Sequence, residues 1–152
     1  MSIGDLCSRE VVCAGRDTSV STAARLMREY HVGSIVVVDE QEGRRRPAGI
    51  VTDRDVTVAV VAPGLDPQVI QIGDLIGSEL VCVPEDAGVA KVVDLMRRKG
   101  LRRIVVTDAS GHLAGIVAAD DVLSLLAEEM TGLASMVTRE RQREASARKS
   151  TA

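Results

Sequence analysis

Aromatic side chains are almost missing from this chain: Tyr30 is the single ring, and there is neither Phe nor Trp. Proteins that hold nucleic acid by stacking its bases need such rings. That class is excluded, and any nucleobase held here must lie between aliphatic side chains. Histidine occurs only as His31 and His112, one placed at a helix end and one in a turn, which argues against a metal centre. The cysteines, Cys7, Cys13 and Cys82, are odd in number and lack CxxC spacing, so neither a disulfide framework nor a zinc ribbon is expected. Neither a signal peptide nor a long apolar span is visible, so the expectation is a reduced, cytoplasmic protein with no membrane partner. Net charge is −3, which gives no general attraction to nucleic acid.

What is present is a repeat. With 45% hydrophobic residues among 152, there is material for one compact unit or two very small ones. Ile3-Gly4-Asp5-Leu6 returns as Ile72-Gly73-Asp74-Leu75, an offset of 69. The same offset carries Val12-Cys13 onto Val81-Cys82, Leu26-Met27-Arg28 onto Leu95-Met96-Arg97, and Ile35-Val36-Val37 onto Ile104-Val105-Val106. It then drops to 66, where Ala48-Gly49-Ile50-Val51 meets Ala114-Gly115-Ile116-Val117. The first copy therefore holds three extra residues between Glu40 and Pro47.

Periodicity predicts the elements within each copy. Val11 to Cys13 is a short strand, and Asp17-Thr18-Ser19 offers N-caps for a helix to about Tyr30, with Val20, Ala23, Ala24 and Met27 on one face. Val89, Val92, Val93 and Met96 repeat that stripe, and Gly100 is a natural stop. Ile35 to Val38 and Ile104 to Val106 are too short for helices and read as strands buried on both faces. Gln41 to Arg46 and Ala109 to Gly111 are then turns, with Arg44-Arg45-Arg46 in solvent. A third strand, Ala48 to Val51 or Ala114 to Val117, leads into a last helix carried by Val56, Ala59 and Val60, or by Val122, Leu123, Leu125 and Leu126. The fold class is α/β: strand, helix, strand, strand, helix, twice, over residues 3–62 and 72–130. Ala62-Pro63-Gly64-Leu65-Asp66-Pro67 opens a breaker-rich connection over 63–71.

The third strand ends in a corner, Gly49-Ile50-Val51-Thr52-Asp53-Arg54-Asp55. Two readings share these residues. The free backbone N–H groups of a helix start favour an anion, with Thr52 on a phosphate and Asp55 on the hydroxyls of a ribose. Equally, Thr52 and Asp55 form a capping box and bind nothing. The corner returns as Gly115-Ile116-Val117-Ala118-Ala119-Asp120-Asp121, with Ala118 in place of the hydroxyl.

The repeat pattern, the pair His31-Val32-Gly33-Ser34-Ile35-Val36-Val37-Val38-Asp39 and Leu101-Arg102-Arg103-Ile104-Val105-Val106-Thr107-Asp108, and the Gly-x-x-Thr-x-x-Asp corner together resemble the tandem CBS domain pair, or Bateman module. The resemblance spans about residues 3–130 and extends to small stand-alone bacterial members. It implies two repeats packed as a pseudo-two-fold pair with two clefts between them, commonly assembled as a disc-shaped homodimer. It further implies adenosine ligands: AMP, ADP, ATP, S-adenosylmethionine or NAD(H). In the first copy the implied ligand-binding residues are Cys13, Ala14, Ser34, Ile35, Thr52, Asp53, Arg54 and Asp55. In the second they are Arg102, Arg103, Ala118, Asp120 and Asp121, with Asp121 in the ribose role. The missing hydroxyl at Ala118 makes the clefts unequal. Arg102 and Arg103 stand where Gly33 and Ser34 stand in the first copy. Their guanidiniums suit a phosphate, and Arg103 would serve either cleft, or both arginines line a solvated rim.

No residue resembles a nucleophile with its base, so the chain is expected to be a sensor rather than an enzyme, needing no cofactor beyond a regulatory adenosine nucleotide. Cys13 and Cys82 read as small packing residues beside an adenine, with redox sensing a lesser reading shared by Cys7 near the terminus. After Leu126, Met130, Leu133, Met136 and Val137, more apolar spacing than a final helix needs, a basic tail runs from Thr138 to Ala152. The stripe suggests a subunit contact and the tail a helical extension that frays. An unidentified effector protein is the implied partner. The competing readings are a dimeric adaptor with empty clefts, and nucleic-acid binding through the tail.

Overall fold

The computed structural model describes residues 1–77 and 79–150, without the side chains of residues 149 and 150. A short helix α1 (Ile3–Leu6) precedes β1 (Cys13–Gly15), α2 (Val20–Glu29), β2 (Ser34–Gln41), β3 (Arg44–Thr52) and α3 (Asp53–Val56), which continues as a π-helical turn, Thr57–Val61. A 3-10 turn, Ile72–Asp74, opens the second half, followed by β4 (Cys82–Pro84), α4 (Val89–Lys99), β5 (Arg103–Thr107), β6 (Leu113–Ala118) and α5 (Ala119–Ser150). Each half builds one three-stranded sheet, its first two strands parallel and its last two antiparallel. The repeated strand, helix, strand, strand, helix order is the one the periodicities predict.

Local chemistry explains the boundaries. Ser19 caps α2, its hydroxyl accepting the N–H of Thr22 at 3.1 Å. Gly100 ends α4 in the left-handed region at φ 65°. After α2 the same place is taken by His31 at φ 53°. The N–H of Val32 returns to the Met27 carbonyl, and that of Leu101 to Met96, closing both helices alike.

Arg44 to Arg46 do not form the solvated turn that the sequence suggests. Glu42 and Gly43, both at positive φ, make a two-residue hairpin turn. Arg44, Arg45 and Arg46 therefore stand on β3, opposite Gln41, Glu40 and Asp39. The three extra residues lengthen a hairpin whose facing strands carry opposite charge.

The two halves hold each other together. Ile35, Val37 and Val51 face Val20, Ala23, Met27 and Val60 in one core. Ile104, Val106 and Val117 face Val92, Met96 and Val122 in the other. Because side chains alternate along a strand, Val36, Val38 and Val105 point the opposite way and fill the space between the sheets. The opening segments are exchanged. Ile72 completes the first core, its N–H on the Thr18 carbonyl, while Ile3 completes the second, its N–H on the Ala87 carbonyl. Each buried isoleucine contributes about 2 kcal/mol by area alone. Beyond α1, Ser8 exchanges two backbone hydrogen bonds with Ile116, extending the second sheet. Cys7 is consequently buried in the second core rather than lying at a loose end, and burial pushes its thiol pKa up.

The last helices differ between copies. Only Val60 is fully buried after the first corner, Val56 is half-buried and Ala59 is exposed. In α5, Val122 is buried and Leu125 half-buried, whereas Leu123 and Leu126, expected to carry the core face, are exposed. The tail does not fray at Thr138: helix continues to Ser150, and residues 151 and 152 lie outside the described residues. Ala, Arg, Glu and Gln dominate this stretch and are strong helix formers. The hydroxyls of Thr131, Ser135, Thr138 and Ser146 return to carbonyls of the helix itself.

Candidate functional site

Both corners cap helices. The Thr52 hydroxyl accepts the N–H of Asp55 at 3.2 Å, and the Asp55 carboxylate accepts the N–H of Thr52 at 2.8 Å. In the second copy the Asp121 carboxylate accepts the N–H of Ala118 at 2.8 Å, and Ala118 has no hydroxyl to complete the box. Each carboxylate uses one named oxygen in this bond, so capping and ligand binding do not compete for the whole group.

Around each corner the residues of the opposite half close a hollow. One, of about 500 Å³, is lined by Ile50, Thr52, Asp53 and Arg54 from the first copy and by Gly100, Leu101, Arg102 and Arg103 from the second. The other, of about 290 Å³, sets Ile116, Ala118 and Asp121 against His31, Val32, Gly33, Ser34 and Val36, with Ser8, Glu10, Val11 and Val12 along one side. Each site is thus a corner from one repeat facing the strand entrance of the other. Arg103, half-buried, borders both hollows. Arg102 is a rim residue, its guanidinium 3.6 Å from the Asp120 carboxylate with both side chains largely in water.

Several of the sequence-derived assignments fall elsewhere than in the two hollows. Ile35 is fully buried in the first core and faces α2, so it lines neither hollow. Cys13 borders a hollow of about 520 Å³ beside the smaller cleft, with Ser8, Val11, Val12 and Val32, and also a third, of about 510 Å³, at the far end of the first sheet, where Ala14 sits with Arg16, Asp17, Asp39 and Glu40. There Arg16 grips Asp39 through two hydrogen bonds, 2.7 and 3.0 Å, and holds its carboxyl below the usual range. Arg45 donates to the Cys13 sulfur at 3.1 Å. Cys82, expected beside an adenine, is an exposed strand residue. Asp55 is half-buried beside Thr52 without lining the hollow. Ser34, the ladder partner of Thr52 across β2 and β3, lines the hollow that holds Asp121.

The structure adds Ser8, Val11, Val12, His31 and Val32 to the smaller hollow. Only the exchange of N-terminal segments brings Ser8 there, and no spacing in the chain announces it. Among the described residues, no three of His, Cys, Asp and Glu gather where a metal ion would need them. No helix among the described residues is long and apolar enough to cross a membrane.

The CBS domain family model matches residues 3–62 and again 72–128. An uncharacterised protein of Methanopyrus kandleri is 34% identical over 125 residues, which is 82% of this chain and 62% of that protein. Hypoxic response protein 1 of Mycobacterium tuberculosis is 29% identical, covering 82% of this chain and 84% of its own. The crystal structure of hypoxic response protein I, with two coordinated zinc ions, superposes at a TM-score of 0.72 and 27% identity over 82% of this chain and 98% of that one. A CBS domain protein from Pyrobaculum aerophilum, complexed with AMP, superposes at 0.75 and 25% identity over 86% and 99%. With the repeat, the two sheets and the family match in agreement, this chain belongs to the CBS domain family and carries two CBS repeats in tandem.

Proposed function

We propose that this protein is a regulatory module that binds an adenosine nucleotide between its repeats and performs no chemistry on it. The observation that carries this reading is the composition of the smaller hollow. Val11, Val12, Val32, Val36 and Ile116 offer aliphatic walls for a flat base, Asp121 offers acceptors for ribose hydroxyls, and Arg103 offers paired donors for a phosphate. The AMP-bound relative supports the ligand class. Because a single guanidinium borders both hollows, a phosphate that engages it from one side withdraws it from the other. The two clefts then bind unequally. Ligand shifts the module only by its differential affinity for two arrangements of the repeats, and a second protein reads the change.

Isothermal titration with AMP, ADP, ATP, NADH and S-adenosylmethionine tests this. Arg103→Ala should weaken AMP about 10- to 100-fold, the worth of a charge-assisted hydrogen bond, and leave adenosine nearly unaffected. Asp121→Asn, which keeps an acceptor for the Ala118 N–H, should weaken both. Equal AMP binding by wild type and Arg103→Ala would remove Arg103 from the site. Absence of any heat or thermal shift from all five ligands would favour the competing reading, a nucleotide-independent adaptor, to which the exposed apolar stripe of α5 lends support.

A further inference from the structure

The corners and strand entrances of the two repeats differ chiefly in charge. The third residue of the corner is Arg54 in the first copy and Asp120 in the second, 66 positions on. The strand entrance is Gly33-Ser34 in the first copy and Arg102-Arg103 in the second. Each repeat is therefore basic at one of the two places. Because each hollow joins the corner of one repeat to the entrance of the other, both basic places fall on the same hollow.

The larger hollow receives Arg54 from its corner and Arg102 and Arg103 from the facing entrance, three guanidiniums against the single carboxylate of Asp53. One oxygen of that carboxylate already accepts the Arg54 N–H at 2.9 Å. The smaller hollow has Arg103 alone against Glu10 and Asp121, with His31 at its edge. The hydroxyls follow the same division. Thr52 accepts the Asp55 N–H and keeps its own hydrogen to donate, whereas Ala118 offers nothing at the equivalent place. Size does too, at about 500 Å³ against about 290 Å³. Arg54 is exposed, and Arg102 meets Asp120 at 3.6 Å with both side chains largely in water. Such a pair is weak, so little is lost when Arg102 turns to a phosphate.

Each phosphate added to a nucleotide brings more negative charge. In the larger hollow that charge meets further guanidiniums, which pair with phosphate through two donors. In the smaller it meets carboxylates, and like charges repel. We infer, on the footing of the nucleotide reading above, that the two clefts sort nucleotides by phosphate number. The larger takes a nucleoside triphosphate, with Arg54 and Arg102 as specificity-determining residues for the phosphates beyond the one that Arg103 holds. The smaller takes a nucleoside with one phosphate or none. Arg103, common to both, makes a triphosphate in the larger cleft an opponent of a monophosphate in the smaller.

Titration calorimetry of the full chain with ATP, ADP, AMP and adenosine, with amide hydrogen exchange to locate each ligand, tests this. ATP should bind at least about 10-fold more tightly than AMP, the worth of one further charge-assisted hydrogen bond, and protect Thr52 to Arg54 and Leu101 to Arg103. AMP should protect Ile116 to Asp121. Arg54→Ser with Arg102→Ser, both exposed and outside either core, should weaken ATP about 10- to 100-fold and leave AMP in the smaller cleft nearly unaffected. Inorganic tripolyphosphate should lose affinity in the same variant, since these two residues meet phosphate and not base. ATP binding no tighter than AMP, equal ATP affinity in wild type and the double variant, or ATP protection at Ile116 to Asp121 would each overturn the sorting while a nucleotide-binding module stands. Absence of binding by all four nucleosides would overturn the nucleotide reading and the sorting together.

Discussion

His31 and Gly100 occupy one structural position in the two repeats, and the comparison isolates a backbone cost. Both residues sit in the left-handed region, where a side chain costs about 1 kcal/mol and glycine almost nothing. His31→Gly should therefore raise stability by about 0.5–1 kcal/mol in chemical denaturation, and an unchanged or lower midpoint would show that the imidazole makes a compensating contact. Gly115 shows the reverse. A Cβ there would lie 2.6 Å from the Cys7 sulfur and 2.7 Å from the Ser8 carbonyl oxygen, and at Gly49 the same atom would meet Ile76 at 2.5 Å. Gly115→Ala should cost about 1–3 kcal/mol through overpacking, read as a fall in melting temperature, and a neutral result would mean that the N-terminal strand is not docked as described. Thr52, Asp53 and Arg54 stand out in the sequence because a repeated corner marks them, and Arg102 and Arg103 because a repeated strand entrance does; that the two groups border one hollow is decided by the fold. Ile35 was misplaced because alternation along a strand names two faces without saying which of them meets the ligand.

Helices with a clean apolar stripe, α2 and α4, match their expected spans closely, since three-to-four spacing has one structural solution. Strands were harder: β2 and β3 extend beyond their apolar centres because the paired acidic and arginine residues continue the ladder, and polar pairs leave no hydrophobic trace. Three carboxylates held by neighbouring donors also carry a pH prediction. Asp39 beside Arg16, Asp94 beside Arg97 and Arg98, and Asp108 accepting the N–H groups of His112 and Ser110 all titrate below the ordinary carboxylate range. In each case the folded form holds its proton less tightly than the unfolded chain, so the stabilisation is complete above the unfolded value, about pH 4, and is lost as pH falls through the lower folded values. Denaturant midpoints should thus be flat above about pH 5 and decline below pH 4, by little per group because all three are in water. Asp39→Asn should flatten part of that decline; an unaltered profile would show that the Arg16 pair contributes nothing.

Neither repeat is complete without the other. Ile3 fills the core of the second and Ile72 that of the first, so Ile72→Ala should destabilise the first repeat, and Ile3→Ala the second, by about 2–5 kcal/mol each. Hydrogen exchange should report the loss on α2 for Ile72→Ala and on α4 for Ile3→Ala; the opposite assignment would refute the exchange of segments. Composition, the 69-residue offset and two hydrophobic periods were enough to establish the number of repeats, their element order and the likeness to the CBS domain, because local spacing dictates which face of each element must be buried. Pairing Asp121 with Ser34, setting Arg103 between two hollows, drawing Cys7 into a core and leaving α5 exposed were decided only in three dimensions. Those outcomes depend on which apolar face meets which across the pseudo-two-fold, and two repeats with nearly identical faces write the same pattern whether each closes on itself or on its neighbour.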